Sequence, residues 1–439
     1  MSGGIIIAAP GSGSGKTTLT LALLRALKRR GIAVASAKVG PDYIDPAFHA
    51  AASGRACFNL DVWAMRHATL ATLIAGLEGS SEIVICEGMM GLFDGAGASG
   101  ESGSTADLAS LIDWPVVLVV DASSQAGSAA ALLRGFASHR ADVPLAGVIF
   151  NRVGGPRHAQ MLETAVRTAL PDLPVLGAVP QSAELSLPER HLGLVQAGEH
   201  PALDSFLDHA ATIVSEAVDV ERLLALARNS HLAAATRTLP LFPLGNRVAV
   251  ARDLAFTFAY PALLEGWRED GASISFFSPL ADEAPAPDAD GIYLPGGYPE
   301  LHAGKLAGNR KFRDGLHEAA KRGAAIYGEC GGYMALGRGL IDARGERHEM
   351  AGLLPLETSF AQRRRSIGYR AIRLLGPGPL GEAGTPFRGH EFHYATIVDE
   401  GAGEALFSVS DAEGAALGET GRIAGRVMGS FLHLIDRSG

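Results

Sequence analysis

The chain has 439 residues, 47% of them hydrophobic, with 55 glycines and a formal net charge of −9. That length provides for two or three domains with full cores, and an apolar composition rich in Gly and Ala is typical of α/β proteins. The acidic balance argues against a general binder of nucleic acid or of membrane surfaces, and no apolar run approaches the ~18 residues of a membrane span.

Strand-like runs alternate with helical stretches from the start. The apolar run 5–9 leads into Pro10-Gly11-Ser12-Gly13-Ser14-Gly15-Lys16-Thr17-Thr18, and a helical pattern with Leu19, Leu23 and Leu27 on one face leads out. Further strands are expected at 33–39, 83–86, 116–120, 147–150 and 175–179. Such alternation implies a mostly parallel sheet covered on both faces. Residues 199–235 read as amphipathic helices, 239–243 as an exit linker, and a new alternation begins with runs at 247–251, 273–277, 291–294 and 324–327. The expected division is a P-loop parallel-sheet domain at 1–235, a linker at 236–245 and a second α/β domain at 246–439. The run 5–9 is too short for a secretory core. Cys57, Cys86 and Cys330 are spaced for neither a metal nor a disulfide framework, which predicts a reducing cytoplasm; Cys86, inside an apolar run, reads as a small core residue.

Strand, glycine loop and helix in that order make a phosphate cradle. Gly11, Gly13 and Gly15 let backbone N–H groups curl around phosphate oxygens, and the helix beginning at Lys16-Thr17-Thr18 adds its positive end. Lys16 can reach the β- and γ-phosphates, and the Thr17 hydroxyl can ligate Mg²⁺. The strict pattern has Gly where this chain has Pro10, so the loop is expected to be slightly altered.

In a parallel sheet, ligands collect at the carboxyl ends of the strands. After the second strand, Asp42 and Asp45 flank Tyr43 and Ile44 in a Gly-Pro loop; either could hold Mg²⁺ or position a nucleophile, and either could simply cap a turn. After the third strand, Glu87 stands where an ATPase places its second metal contact, and Asp94 follows in a Gly-rich loop. Asn151 after the fifth strand could read an adenine edge, and Val179-Pro180 after the sixth could offer backbone contacts to the base. Residues 187–194 form a polar loop to which the chemistry assigns nothing.

In the second half, Gly328-Glu329-Cys330-Gly331-Gly332 sits between a strand and a helical run. This is a nucleophile elbow, with the thiol at the strand tip and a following helix expected to lower its pKa. The N–H groups of Gly331 and of Gly297, in Pro295-Gly296-Gly297, could form an oxyanion hole. A thiolate needs a base. His433, at the end of the strand-like run 427–434, is the candidate; His390 and His393 are its rivals.

These residues resemble known families. Pro295-Gly296-Gly297, the Gly-Glu-Cys-Gly-Gly elbow and the late His433 resemble a class I glutamine amidotransferase domain. The first half resembles the dethiobiotin-synthetase-like ATPases. Joined in this order, and with Val39-Gly40-Pro41-Asp42-Tyr43-Ile44-Asp45-Pro46, Glu87-Gly88-Met89-Met90-Gly91-Leu92-Phe93-Asp94-Gly95 and Gly389-His390-Glu391-Phe392-His393-Tyr394, nearly the whole chain resembles the corrin a,c-diamide synthases of cobalamin biosynthesis, which act on cobyrinic or hydrogenobyrinic acid. The resemblance implies glutamine hydrolysis at Cys330 and His433. It further implies MgATP-dependent phosphorylation of the a- and c-acetate carboxylates of a corrin, and displacement of each phosphate by ammonia. It assigns metal binding to Thr17, Asp45 and Glu87, and substrate handling to Asp42, Tyr43, Asp45 and Asp94. Many amidotransferases carry Glu two residues after the histidine; here that residue is Ile435, with Asp436 next, so a Cys–His dyad is expected. The same chemistry on another tetrapyrrole or polycarboxylate acceptor, or a P-loop ATPase with a degenerate amidase-like domain, is the alternative, and a homodimer is the default assembly.

Overall fold

The computed structural model describes residues 3–97, 100–186, 189–190, 193–194, 196–233 and 238–438. The chain divides into two compact units, Met1–Trp63 with Leu70–Arg237, and Ala64–Thr69 with Thr238–Gly439. The expected boundary at 235/236 and part of the polar loop 187–194 lie outside the described residues.

The first unit is built on seven parallel strands: β1 (Gly3–Ala8), β2 (Val34–Val39), β3 (Cys57–Leu60), β4 (Ile83–Glu87), β5 (Val116–Asp121), β6 (Leu145–Val153) and β7 (Val175–Pro180), in the order β3-β2-β4-β1-β5-β6-β7. The intervening helices are α1 (Lys16–Arg29), α2 (Ile44–Ser53), α3 (His67–Gly79), α4 (Thr105–Ile112), α5 (Ser128–His139) and α6 (Pro156–Ala169). A two-strand ribbon, β8 (Glu189–Arg190) with β9 (Gly193–Leu194), precedes α7 (Leu203–Ala217) and α8 (Val220–Ala225). Ile5, Ile7, Ile83, Ile85, Val117 and Val119 pack against Leu19, Leu23 and Leu27 of α1 in one core. The edge strand β3 was not expected. It is short, and it carries Asn59, whose buried amide donates to the carbonyls of Gly40 (2.8 Å) and Asp42 (2.7 Å) and so shapes the loop after β2.

The second unit opens with β10 (Arg247–Ala251), α9 (Pro261–Glu269), β11 (Ser273–Phe277), β12 (Gly291–Leu294), α10 (Ala303–Gly308), α11 (Arg310–Lys321), β13 (Ala325–Glu329) and α12 (Gly331–Leu336). The expected α/β sheet is present, and antiparallel structure is added to it. β14 (Gly339–Ile341), β15 (Arg347–Glu349), β16 (Leu356–Ser359) and β19 (Thr396–Glu400) form a four-stranded sheet. β17 (Ser366–Leu374), β18 (Pro386–His393), β20 (Phe407–Ser410), β21 (Ala416–Thr420) and β24 (Leu432–Arg437) form a five-stranded one. β22 (Arg422–Ala424) and β23 (Val427–Ser430) complete the main sheet, whose order is β11-β10-β12-β13-β23-β22. The run 427–434 is therefore two strands. β23 pairs with β13 beside the elbow, the chain turns at Phe431, and β24 enters the other sheet carrying His433 opposite His390.

Candidate functional site

The phosphate loop joins β1 to α1. Gly15 has a φ of 84°, and a Cβ there would lie 2.1 Å from Nδ2 of Asn151, so both backbone and space require glycine. Beside the loop four side chains, Thr17, Lys38, Lys16 and His49, converge on Glu87. Thr17 Oγ1 donates to Glu87 Oε1 at 2.6 Å. The ammonium of Lys38, only 3% exposed, donates to Asp45 Oδ2 at 2.6 Å, to Glu87 Oε1 at 2.9 Å and to the Gly88 carbonyl at 3.3 Å. Lys16 lies 3.9 Å from the same Glu87 oxygen. His49 Nε2 is 2.7 Å from Glu87 Oε2, and Cys57 Sγ is 3.5 Å from His49 Nδ1.

Charge and burial compete here. Burial would raise the Glu87 carboxyl, but the charge of Lys38 and the bond from His49 outweigh it and hold it well below the usual range. Burial would lower Lys38, yet Asp45, Glu87 and Asp42 push it well above its ordinary value. Lys16 is lowered, chiefly by burial. Burial and the neighbouring charge of Asp42 push Asp45 up to about 7. Glu87 joins Thr17 to the Lys38–Asp45 pair, so three residues with hard oxygen donors are linked through one carboxylate and one ammonium, a donor set suited to Mg²⁺.

The remaining residues singled out in this half have local partners. Asp42 Oδ1 accepts from the N–H groups of Ile44 (2.7 Å) and Asp45 (3.2 Å) and so caps the first turn of α2. Tyr43 precedes that helix and is half-buried. Asp94 is exposed, and its Oδ2 accepts from Gly91 N at 2.9 Å, closing a turn. Asn151 lies inside β6, before its last residue Val153, and its Nδ2 donates to the Ser14 carbonyl (2.9 Å) while its Oδ1 accepts from Arg152 N (2.9 Å). Its amide is thus engaged in holding the phosphate loop. At the end of β7, Val179 is buried and Pro180 exposed. Lys38 and His49 were missed by sequence reasoning; a lysine closing an apolar strand is visible in the sequence, but its partners are not.

In the second unit Cys330 stands between β13 and α12 with φ 48° and ψ −104°, a conformation that costs free energy for a residue with a side chain and is typical of functional elbows. The turn fits because a Cβ on Gly332 would lie 1.9 Å from the Leu294 carbonyl. Gly296 supplies a geometric probe. A Cβ there would be 3.4 Å from Cys330 Cβ and 2.5 Å and 3.4 Å from Cε1 and Nε2 of His433, so thiol-bearing carbon and imidazole border the same glycine. A Cβ on Gly331 would lie 3.1 Å from Gly297 N, so the two glycines expected to supply the oxyanion donors are neighbours. The expectation that the helix depresses the thiol pKa is corrected. Burial, joined by the charge of Glu300, pushes the Cys330 thiol up, and the N–H of Gly331 offsets only part of this. A thiol held this way needs a base to take its proton before sulfur can attack.

His390 stacks on His433 with ring centroids 4.8 Å apart. Burial, then the charges of His433 and Arg370, hold His390 well below the usual histidine range, so it is neutral. His393 stacks on Phe431 (4.0 Å) and bonds Glu391 (2.8 Å).

The CobQ/CobB/MinD/ParA nucleotide binding domain family matches residues 5–195, and the CobB/CobQ-like glutamine amidotransferase domain family matches residues 247–438. Over 438 residues the chain is 58% identical to the hydrogenobyrinate a,c-diamide synthase of Brucella suis biovar 1, covering 99% of each. It is 55% identical over 439 residues to the relative of that name from Sinorhizobium sp (99% of each), and 52% over 434 residues to that from Rhodobacter capsulatus (98% of each). The chain belongs to the hydrogenobyrinate a,c-diamide synthase family. As a member of that family it is a glutamine-dependent amidoligase that joins an ATP-using nucleotide-binding domain to a glutamine amidotransferase domain. Among the described residues no helix is long and apolar enough to cross a membrane.

Two acidic residues of this family member's amidotransferase unit were also missed. Glu300, 9% exposed and next to the Gly-Gly-Tyr-Pro turn, is pushed up to about 7 by burial. Glu329 is 1% exposed; its Oε2 accepts from Tyr293 OH (2.7 Å) and its Oε1 from Leu434 N (3.1 Å). An acidic residue ending an otherwise apolar strand was the available signal. Asp436, adjacent to Ile435, does not serve His433, because it is buried against Arg66 at 2.6 Å.

Proposed function

We propose that this enzyme amidates the a- and c-acetate carboxylates of hydrogenobyrinic acid, consuming ATP and glutamine. The observation that carries the chemistry is an elbow cysteine, Cys330, bordering the same glycine as the His433 imidazole, in a chain that also carries a phosphate loop with Lys16 and Thr17 in place. The acceptor rests on the full-length likeness to relatives of that name.

At the amidase site, Cys330 gives its proton to His433 Nε2 as sulfur attacks the glutamine side-chain carbonyl. The N–H groups of Gly297 and Gly331 meet the oxyanion, where such donors are worth ~3 kcal/mol each. Collapse breaks the C–N bond, the proton on His433 goes to the leaving nitrogen, and ammonia departs. Water then attacks the γ-glutamyl thioester, releasing glutamate and restoring the thiol.

At the synthetase site a carboxylate is a poor electrophile and needs activation. Its oxygen attacks the γ-phosphorus of ATP, and ADP leaves. Ammonia then attacks the acyl carbon of the resulting acyl phosphate, and phosphate leaves. The loop amides around Gly11, Gly13 and Gly15, with Lys16, Thr17 and Thr18, cradle the phosphates, and Asn151 fixes the loop by its bond to Ser14. Val179 and Pro180 border the base. Thr17 and Glu87, with Asp45, would hold Mg²⁺, which supplies neutralisation of phosphate charge when bound. Lys38 keeps Glu87 and Asp45 paired, and Asp42, Tyr43 and Asp94 shape the acceptor end. A synthetase part at 1–235 joined through 236–245 to an amidotransferase part at 246–439, a cytoplasmic location and a homodimer complete the reading; sedimentation of the full chain tests the last.

The deciding experiment is amidation of hydrogenobyrinic acid, cobyrinic acid and a non-corrin polycarboxylate, with product mass as the readout. Two amidations of the metal-free corrin are expected. Preference for the cobalt corrin would move the acceptor to cobyrinic acid, and turnover of the non-corrin acid alone would overturn the reading.

A further inference from the structure

Resting on the Cys330–His433 reading, we infer that Glu329 is the positioning carboxylate of that pair, filling the place left by the missing glutamate after the histidine. His433 Nδ1 lies 3.7 Å from Glu329 Oε2, with both side chains 1% exposed. The other ring nitrogen, Nε2, lies on the Gly296 side beside Cys330. The imidazole is thus flanked by a carboxylate at one nitrogen and the thiol-bearing residue at the other, the arrangement that lets a base take a proton and hold the resulting charge. The separation is longer than a hydrogen bond, as resting sites commonly are before substrate draws them together.

Three features hold the carboxylate in place. Tyr293 OH donates to Oε2, Leu434 N donates to Oε1, and the residue precedes the nucleophile on β13. The Leu434 bond also ties the backbone next to His433 to the same side chain. Competing acids are committed elsewhere: Asp436 to Arg66 at 2.6 Å, and Glu391 to His393 and Arg370 at 2.8 Å each. Ile435, two residues past the histidine, offers no charge. A carboxylate moved from after the base to before the nucleophile serves the same ring. It stabilises His433 as an imidazolium during attack and fixes which nitrogen faces the sulfur.

The test uses the full-length enzyme with Glu329→Gln and Glu329→Asp, reading glutaminase kcat and KM, ammonia-dependent amidation, and Cys330→Ser as control. Loss of ~10- to 1,000-fold in kcat is expected for Glu329→Gln, below the ~10⁴ of a hydrogen-bonded triad carboxylate. KM for glutamine should stay within about twofold and ammonia-dependent amidation should persist, while Glu329→Asp should recover at least about tenfold of the lost kcat, because the charge is kept. A Glu329→Gln kcat within about twofold of the parent, or equal losses in both variants, overturns the inference and leaves the amidase reading standing. Glutaminase surviving in Cys330→Ser overturns that reading and the inference with it. Should Glu329→Gln fail to fold, Tyr293→Phe removes the bond that aims Oε2. A drop of ~3- to 10-fold in kcat supports the inference, and no drop contradicts it.

Discussion

Replacing Lys38 by Met removes one ammonium from a buried cluster of charges in the nucleotide-binding unit. That ammonium lies 2.6 Å from Asp45 and 2.9 Å from Glu87, and Glu87 has no exposed surface. Removing one partner of a buried pair costs ~3–5 kcal/mol, because the other charge stays buried without compensation. Two structural details refine the figure. Met fills nearly the same volume, so little cavity cost is added, and Glu87 keeps its bonds from Thr17 and His49 at 2.6 Å and 2.7 Å. Against this, the Gly88 carbonyl loses a donor at 3.3 Å, worth ~1 kcal/mol. We expect a net loss of ~4 kcal/mol, a large part of the ~5–15 kcal/mol a domain has in all. Urea unfolding followed by hydrogen exchange of peptides spanning β2 and β4 reports this unit alone. In the Lys38→Met background, Glu87→Gln should cost at least ~2 kcal/mol less than it does alone, the signature of a coupled pair. A single-variant loss under ~1 kcal/mol, or additive losses, would show that Lys38 and Glu87 are not a coupled buried pair.

Other outcomes follow from the same geometry. Gly296→Ala places a methyl 2.5 Å from His433 Cε1; the displaced ring should cost glutaminase ~100-fold in kcat while ammonia-dependent amidation continues, read by parallel assays with the two nitrogen donors. Asn151→Ala leaves the Ser14 carbonyl without its 2.9 Å donor, so the KM for ATP should rise ~10-fold, the equivalent of one lost bond of ~1.4 kcal/mol, with ATP-independent glutaminase unmoved. Glu300 titrates at about 7 in the folded chain against an ordinary 4.5. Folding therefore favours its protonated form, and this contribution is whole below pH 4.5 and lost as pH rises through about 7. Glu300→Gln, which mimics the protonated form, should be more stable than the parent at pH 8 by up to ~3 kcal/mol, the gap closing as pH falls towards 4.5. Melting curves across pH check this, and a gap that widens in acid would contradict it.

The features legible in the sequence are those whose chemistry is local along the chain. The phosphate loop and the cysteine elbow are each a few consecutive residues between a strand and a helix, so glycine spacing and apolar runs suffice. What stayed hidden is chemistry assembled by strand pairing. Lys38 meets Glu87 because β2 and β4 are neighbours with those two residues in register, a fact no local pattern carries. Glu329 meets His433 across 104 residues of chain, through a turn at Phe431 that splits one apolar run into strands of two sheets. The antiparallel sheets between Gly339 and Arg437 were missed because several of their strands are short or carry charged residues on exposed positions, as in Arg347–Glu349 and Ala416–Thr420. Without a buried face on both sides, such strands lack the continuous apolar run that marks a parallel one.

In the proposed reaction, nitrogen is freed at one centre and used at another within one polypeptide. Cys330→Ser, assayed for conversion of hydrogenobyrinic acid with glutamine and then with an ammonium salt, tests it most directly. No amidated product is expected from glutamine, and full diamide formation is expected from ammonium. Diamide formed from glutamine by that variant, or none from either donor by a correctly folded one, would contradict it.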